Sequence, residues 1–137
     1  MEYSLKYIKR LCSFAKERNF SLPEGFEKRT PQWIRRNFNG IGAEWMPRWS
    51  RRFLSKLLQP LDAAAMVHDV EFLQDNKSYW NFTKANFRLT VNCAKSGFLF
   101  SGIAAGTICQ FFGWTAWKEG KETMIWYYYY QEEMSDR

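Results

Sequence analysis

The stretch "LDAAAMVHDVEF", residues 61–72, holds the only histidine of the chain, His68, followed directly by Asp69. A neutral imidazole can take a proton from water near neutral pH, and a carboxylate can ligate a hard cation. On a helix, adjacent side chains point about 100° apart, so His68 and Asp69 face different neighbours and do not pair. The two residues therefore predict either a proton-transferring group beside a cation ligand or, more plainly, two partly buried side chains of an amphipathic helix.

A histidine that acts as a base needs a partner that orients its second ring nitrogen. If its helix and the next one form an antiparallel hairpin that turns near Lys77 and Ser78, residues 86–88 lie opposite His68. Asn86 lies there, and its side-chain oxygen can accept a ring N–H and fix the tautomer. We therefore predict that His68 and Asn86 are partners.

The segment "FNGIG", residues 38–42, is a glycine-containing loop. In extended backbone, the carbonyls of alternate residues, here Phe38, Gly40 and Gly42, point to one side. Three such carbonyls and the Asp69 carboxylate suit Ca²⁺, which prefers oxygen ligands. Zinc and serine-triad chemistries are disfavoured, because each would have to reuse the single histidine.

The two segments together resemble the calcium loop and catalytic helix of the phospholipase A2 superfamily, most closely the compact, disulfide-free type of parvoviral capsid proteins. That type has a Y-x-G-x-G loop, then D-A-A-A-x-x-H-D-x-x-Y. The second block aligns without a gap at Asp62, Ala63, Ala64, Ala65, His68, Asp69 and Phe72. The later "FFGWTAW" is similar to an aromatic motif of small phage-encoded relatives. The resemblance covers about residues 38 to 92.

The resemblance implies a chemical role for each matched residue. His68 would be the general base for water that attacks the sn-2 ester of a glycerophospholipid. Asp69 and the carbonyls of Phe38, Gly40 and Gly42 would hold Ca²⁺, which stabilises the oxyanion together with the N–H of Gly40. The implied substrate is phospholipid at a membrane surface, and the implied location is the cytoplasm or a virion, peripheral to a membrane.

Three positions depart from the family pattern. Phe38 and Phe72 replace tyrosines, so two hydroxyls that brace the catalytic network are absent. Asn86 stands where the family has a carboxylate on the second helix. An amide orients the ring but does not stabilise the imidazolium by charge, and in another catalytic family the analogous change costs about 10⁴ in turnover. With His68 and Asn86 as its catalytic pair, we expect a slow hydrolase or a non-enzyme.

The positive charge is concentrated in the first half of the chain. The net charge is +6, yet residues 1–60 carry 13 Lys and Arg against 5 Asp and Glu. Basic clusters alternate there with tryptophans, which suits anionic lipid, a host protein or, less favoured, nucleic acid. A solvated basic face is the plainer interpretation. The predicted membrane or partner surface comprises Trp33, Arg35, Arg36, Trp45, Trp49, Arg51 and Arg52.

The length of 137 residues and the helical periodicities predict one mostly α domain, built around an antiparallel catalytic-type helix hairpin and a glycine loop. Residues 1–37 form basic N-terminal helices, the first over residues 3–20. Residues 38–95 form the loop and the hairpin, with a further helix at 47–58 before it. Residues 96–137 form an apolar helix and an aromatic tail. Three cysteines without a CxxC pattern indicate neither disulfides nor zinc, and fit a reducing compartment.

The segment "SGFLFSGIAAGTICQFFGWTAW" has 22 residues without a charge, between Lys95 and Lys118. It is long enough to span a bilayer and contains Gly102 and Gly106 in a GxxxG pattern. Its serines, threonines and glutamine favour a helix in the core of a bundle instead. Three functions thus remain open: a phospholipase-like enzyme, a phage-encoded and catalytically impaired interaction protein that binds a host protein or nucleic acid, and a small membrane-associated protein. The oligomeric state is not specified by the sequence.

Overall fold

The computed structural model of the protein describes residues 3–38, 61–74, 76–114 and 117–118, together with Trp49. This part of the chain is mostly helical and contains no strand, which confirms the predicted α class. The predicted helix at 47–58, apart from Trp49, and the aromatic tail beyond residue 118 lie outside the described residues. The helices are α1 (Leu5–Glu17), α2 (Pro31–Asn37), α3 (Asp62–Phe72), α4 (Tyr79–Lys95) and α5 (Leu99–Phe112), with a 3₁₀ turn at Phe26–Lys28.

Side-chain caps define where three of the helices begin. Ser4, Thr30 and Ser78 each accept a backbone N–H from the first turn of α1, α2 and α4, at 3.2, 3.2 and 3.1 Å. Helix α1 ends earlier than predicted, at Glu17, because Asn19 adopts a left-handed conformation with φ of 51°. Asparagine tolerates this conformation better than most residues do, so it terminates helices well.

Helix α3 lies at the centre of the described structure and is buried on most of its surface. Helices α1, α2 and α4 all pack against it. Ala63 and Ala64 are fully buried, and their small side chains allow the neighbouring helices to approach closely. The core around α3 contains Ile8, Leu11, Ile34, Met66, Val67 and Leu89. The segment with the lone histidine is therefore the most enclosed helix of the structure.

The GxxxG pattern forms the contact between α4 and α5. A Cβ atom on Gly102 would lie 2.6 Å from Cβ of Cys93, and one on Gly106 would overlap the side chain of Thr90. The Thr90 hydroxyl donates to the carbonyl of Gly102 at 3.0 Å. The glycines thus serve close packing within the protein. In the ranges that the structure describes, no helix is both long and apolar enough to cross a membrane.

The opposite face of α5 is apolar and exposed. Phe100 is 84% exposed, and the exposed large side chains continue at helical spacing through Ile103, Ile108 and Phe111. The sequence predicted a core helix, but only the glycine side of α5 is packed. The reason is that α5 packs mainly on α4, through its glycine side, so most of the large apolar residues on its other side remain exposed.

Candidate functional site

His68 lies in the middle of α3 and faces α4. Its side chain is 8% exposed, and Nε2 lies 3.0 Å from Oδ1 of Asn86. An amide oxygen can only accept, so Nε2 carries the proton and Nδ1 keeps the lone pair. Phe72 likewise lies against Phe82, so residues of α3 meet residues of α4 in opposite chain order. The structure therefore brings together the two residues that the sequence predicted as partners.

The Asn86 amide continues this hydrogen bond into α5. Its Nδ2 donates to Oε1 of Gln110 at 2.8 Å. Gln110 in turn donates from Nε2 to the hydroxyls of Tyr79 and Thr83, both at 3.0 Å. Four side chains of α4 and α5 therefore connect to the ring of His68 without any charge.

Sequence analysis does not identify Gln110 as part of the site, because in the sequence it is only one of several polar residues in an uncharged segment. A signal was present, because Gln110 follows Gly106 by one helical turn. Residues four apart share a face of a helix, and the glycine face is the one that packs on α4. A lone amide on that face indicates a buried hydrogen-bond partner.

Aromatic rings enclose the other side of the imidazole. The Phe72 ring lies 4.3 Å from the His68 ring, and the edge of Trp117 meets Phe72 at 5.0 Å. Phe82 and Trp114 extend this group. Burial lowers the pKa of His68 to about 4, although the hydrogen bond to Asn86 acts in the opposite direction. The ring is therefore neutral at neutral pH and has an available lone pair.

Asp69 is half-buried and faces a different neighbour from His68, as the helical geometry predicts. Burial, and after it the charge of Asp69, raise the pKa of the Cys109 thiol to about 11. The carboxylate of Asp69 therefore lies near α5.

The predicted calcium cage is described only in part. Phe38 follows α2 with φ −90° and ψ 112°, so the backbone becomes extended where the glycine loop begins. Its ring is buried and stacks on Tyr3 at 4.8 Å. The Phe38 carbonyl and the Asp69 carboxylate are oxygen donors of the kind that Ca²⁺ prefers, and they are the two predicted ligands that the structure describes. Gly40 and Gly42 lie outside the described residues.

A cage of that kind differs from a cluster of metal-binding side chains. Within the described ranges, no group of three or more His, Cys, Asp or Glu could hold a metal ion. The predicted Ca²⁺ site needs no such group, because most of its ligands are carbonyls of the main chain.

The predicted membrane or partner surface is divided between packed and exposed residues. Trp33 packs partly against the core and lies under Arg29, whose guanidinium is 4.3 Å from the ring. Arg35 is half-buried, whereas Arg36 is exposed and Trp49 is 74% exposed. The remaining predicted members lie outside the described residues: Trp45, Arg51 and Arg52.

A second polar cluster lies one turn further along α3. Glu71 is 3% exposed and forms an ion pair with Arg88, whose Nε donates to Ser21 Oγ at 3.1 Å. Burial raises the pKa of Glu71 to about 7, although the charges of Arg88 and Lys84 oppose this shift. Within the described residues, Oε2 of Glu71 has no hydrogen-bond partner.

Asp62 begins α3, yet its side chain does not cap the helix. The Tyr7 hydroxyl of α1 donates to its Oδ2 at 2.5 Å, and the residue is almost fully buried. Burial raises the pKa of Asp62 to about 6, with the Tyr7 hydrogen bond acting against it. The first residue of the D-A-A-A block therefore joins α1 to α3.

A cleft of about 970 Å³ lies along α1 and is lined by residues of that helix and by Ala63. His68, Asp69 and Asn86 are not among its lining residues. The cleft is therefore separate from the histidine cluster.

Comparisons of the chain with protein-family models, with curated proteins and with solved structures found no match. The resemblance to the phospholipase A2 superfamily therefore depends on the residues of the two segments. A function is therefore inferred from the geometry around His68.

Proposed function

We propose that the protein is a phospholipase A2-like, calcium-dependent ester hydrolase that acts slowly on phospholipid at a membrane surface. The observation that carries the proposal is the 3.0 Å hydrogen bond between His68 Nε2 and Asn86 Oδ1. This bond leaves Nδ1 as the basic nitrogen. The opposite chain order of the contacts between α3 and α4 supports an antiparallel catalytic-type hairpin of the kind that the resemblance implies.

The proton chemistry follows from the neutral surroundings of His68. Nδ1 takes a proton from the attacking water and later returns it to the departing alkoxide, while Nε2–H remains hydrogen-bonded to the Asn86 oxygen. A pKa of about 4 keeps the ring in its basic form at neutral pH. The same low pKa makes the imidazolium costly to form, and the Asn86 amide offers it no opposite charge. We therefore expect a low turnover.

The proposed calcium ligands are Asp69 and the carbonyls of Phe38, Gly40 and Gly42. When bound, Ca²⁺ supplies Lewis-acid stabilisation of the oxyanion. Asp69 contributes a half-buried carboxylate on the helix that holds His68. The backbone is extended at Phe38, directly after α2.

The outward face of α5 supports action at a lipid surface. Its exposed apolar residues lie beside Gln110, which connects to His68 through Asn86. Lys95 and Lys118 are exposed and bracket the uncharged segment. An apolar helix face with cationic ends suits a bilayer that contains anionic headgroups.

Asn86 favours a second candidate function, a catalytically impaired interaction protein. The amide removes the charge that a working hydrolase of this type uses. Such a protein would bind a host protein or nucleic acid through its basic aromatic surface, to which Arg36 and Trp49 contribute exposed side chains.

Release of fatty acid from anionic mixed micelles, with calcium or with a chelator, tests the hydrolase. We expect calcium-dependent release that His68→Gln abolishes and that Glu24→Ala, an exposed change between α1 and α2, leaves intact. Asn86→Asp restores a carboxylate beside the ring, so it should raise turnover. The absence of release by both wild type and Asn86→Asp at every calcium level contradicts the hydrolase. Salt-sensitive nucleic-acid binding or host-protein binding that is indifferent to His68→Gln then supports the interaction protein.

A further inference from the structure

We propose that Gln110 of α5 is a positioning residue that determines which ring nitrogen of His68 carries the proton. Gln110 does not touch the ring and acts through the side-chain amide of Asn86. The consequence for catalysis rests on the proposed hydrolase function. The effect on the tautomer of His68 does not.

The Asn86 amide presents a different end to each of its two neighbours. Its oxygen meets His68 at 3.0 Å and its nitrogen meets Gln110 at 2.8 Å. His68 alone does not select this orientation, because a neutral imidazole nitrogen can either donate or accept. Oε1 of Gln110 does select it, since an oxygen there requires the N–H₂ of Asn86 to point toward α5. The Asn86 oxygen is then directed at His68, and Nε2 must carry the proton.

The other end of the Gln110 amide meets two hydroxyls of α4. Its Nε2 has two hydrogens, and two hydroxyl oxygens, those of Tyr79 and Thr83, lie 3.0 Å away. Reversal of Gln110 would turn its N–H₂ toward the N–H₂ of Asn86, so both amides would have to reverse together. His68 would then accept at Nε2 and carry its proton on Nδ1, which removes the basic lone pair from the side away from Asn86.

The close approach of α5 to α4 makes this linkage possible. Gly106 lies one turn before Gln110, and a Cβ atom on it would be 3.0 Å from the Asn86 carbonyl oxygen. Asn86 is almost fully buried, so its side-chain amide depends on protein partners for its hydrogen bonds. The proton position on α3 is thereby determined from α5, with which His68 has no direct hydrogen bond.

Substitutions of opposite hydrogen-bonding polarity at position 110 test the proposal. A Glu carboxylate only accepts, so Gln110→Glu keeps the Asn86 nitrogen toward α5 and preserves the Nε2–H tautomer. A Lys ammonium only donates, so Gln110→Lys draws the Asn86 oxygen toward α5 and switches the majority to Nδ1–H. Side-chain ¹⁵N spectra at pH 7 give the tautomer directly, and the lone histidine makes the assignment unambiguous.

Two kinds of control separate the effect of the hydrogen bond between Gln110 and Asn86 from the effect of the added charge. Thr107→Glu and Thr107→Lys place the same charges on the exposed face of α5, and should leave the Nε2–H tautomer in place. Gln110→Met removes both hydrogen-bonding ends, so the two tautomers should become mixed. The ¹H–¹⁵N amide spectrum of each variant reports whether it is folded.

The proposal is overturned if the Gln110→Lys variant folds and keeps its proton on Nε2. If the Lys variant does not fold, the proposal is overturned when Gln110→Met shows the same tautomer as the wild type. Opposite tautomers in the Glu and Lys variants support it, even if no variant releases fatty acid. In that case the role of Gln110 in positioning the proton of His68 is supported, and the hydrolase function is contradicted. If the wild type is active, kcat should fall in Gln110→Lys and persist in Gln110→Glu.

Discussion

Helix α3 presents two buried polar clusters to α4, one turn apart, and they differ in charge. The histidine cluster joins His68 to the amides of Asn86 and Gln110. The glutamate cluster joins Glu71 to the guanidinium of Arg88. Burial lowers the pKa of His68 to about 4 and raises that of Glu71 to about 7, so both groups are shifted toward their neutral forms. Only the glutamate has a partner of opposite charge.

The difference shows what each cluster contributes. The ion pair fixes α3 to α4 and, through Ser21, to the segment that follows α1. The amide cluster stabilises no charge, but it holds a neutral imidazole in one orientation. A buried site with neutral partners suits a base that must keep its lone pair at neutral pH, at the cost of slow proton uptake.

The largest expected effect comes from removing the charged partner of Glu71. At pH 8, Arg88→Met should lower the free energy of unfolding by roughly 3–5 kcal/mol, because a buried carboxylate is left without its ion pair. The pKa of Glu71 is raised from 4.5 in the unfolded chain to about 7 in the folded protein. The buried carboxyl is therefore uncharged below pH 4.5, and its unfavourable charge develops as the pH rises through about 7. Urea unfolding at pH 8 and pH 5 should therefore show a smaller loss at pH 5.

Two companion variants sharpen this test. Glu71→Gln combined with Arg88→Met should recover part of the stability at pH 8. Lys84→Met removes an exposed charge near Glu71 and should change stability little. An equal loss for Arg88→Met at both pH values would show that the carboxylate is not the cause.

The histidine cluster should respond to pH with the opposite sign. The pKa of His68 is depressed from 6.5 to about 4, so the unfolded chain takes up a proton before the folded protein does. Stability is therefore present above pH 6.5 and is lost as pH falls toward 4. Relative to His68→Gln, the wild type should lose about 3 kcal/mol across this window. Urea unfolding series of both proteins measure the loss, and an NMR titration of His68 with a midpoint near 6.5 would refute it.

A substitution on α5 should have a smaller effect on stability and should alter the histidine cluster without altering the glutamate cluster. Gly106→Ala adds a Cβ that overlaps Thr90 and lies 3.0 Å from the Asn86 carbonyl oxygen, so α5 must shift. We expect a loss of about 1–3 kcal/mol in unfolding free energy. The ¹⁵N spectrum of His68 should change, while the Arg88–Glu71 pair, which does not involve α5, stays intact. The double variant Gly106→Ala with Thr90→Ala should recover part of the stability. An unaltered His68 spectrum in Gly106→Ala would show that the spacing of α4 and α5 does not affect the tautomer of His68.

The predictable part of the site is the part that local geometry determines. The opposition of His68 and Asn86 follows from helical spacing on either side of a turn near residues 77–78, so counting along the sequence was sufficient. The hydrogen-bond polarity of the pair was not predictable in this way, because it also involves Gln110 of α5.

The contacts that sequence analysis missed join distant segments. Tyr7 meets Asp62 across 55 residues, and Gln110 meets Asn86 across 24. Each depends on which faces of two helices meet, and periodicity alone does not specify this. The uncharged run of α5 indicated a buried helix, whereas its small residues select one side for packing and leave the large ones outside.

The packing of α5 on α4 also affects the reactivity of two thiols. Burial is the main cause that raises the pKa of both Cys93 and Cys109 to about 11. A thiol reacts with an alkylating reagent as its thiolate, so both remain protonated and slow to react while the two helices are in contact. Separation of α5 from α4 would return them toward ordinary acidity. The rate at which iodoacetamide labels Cys93 and Cys109 therefore measures how often this helix pair opens.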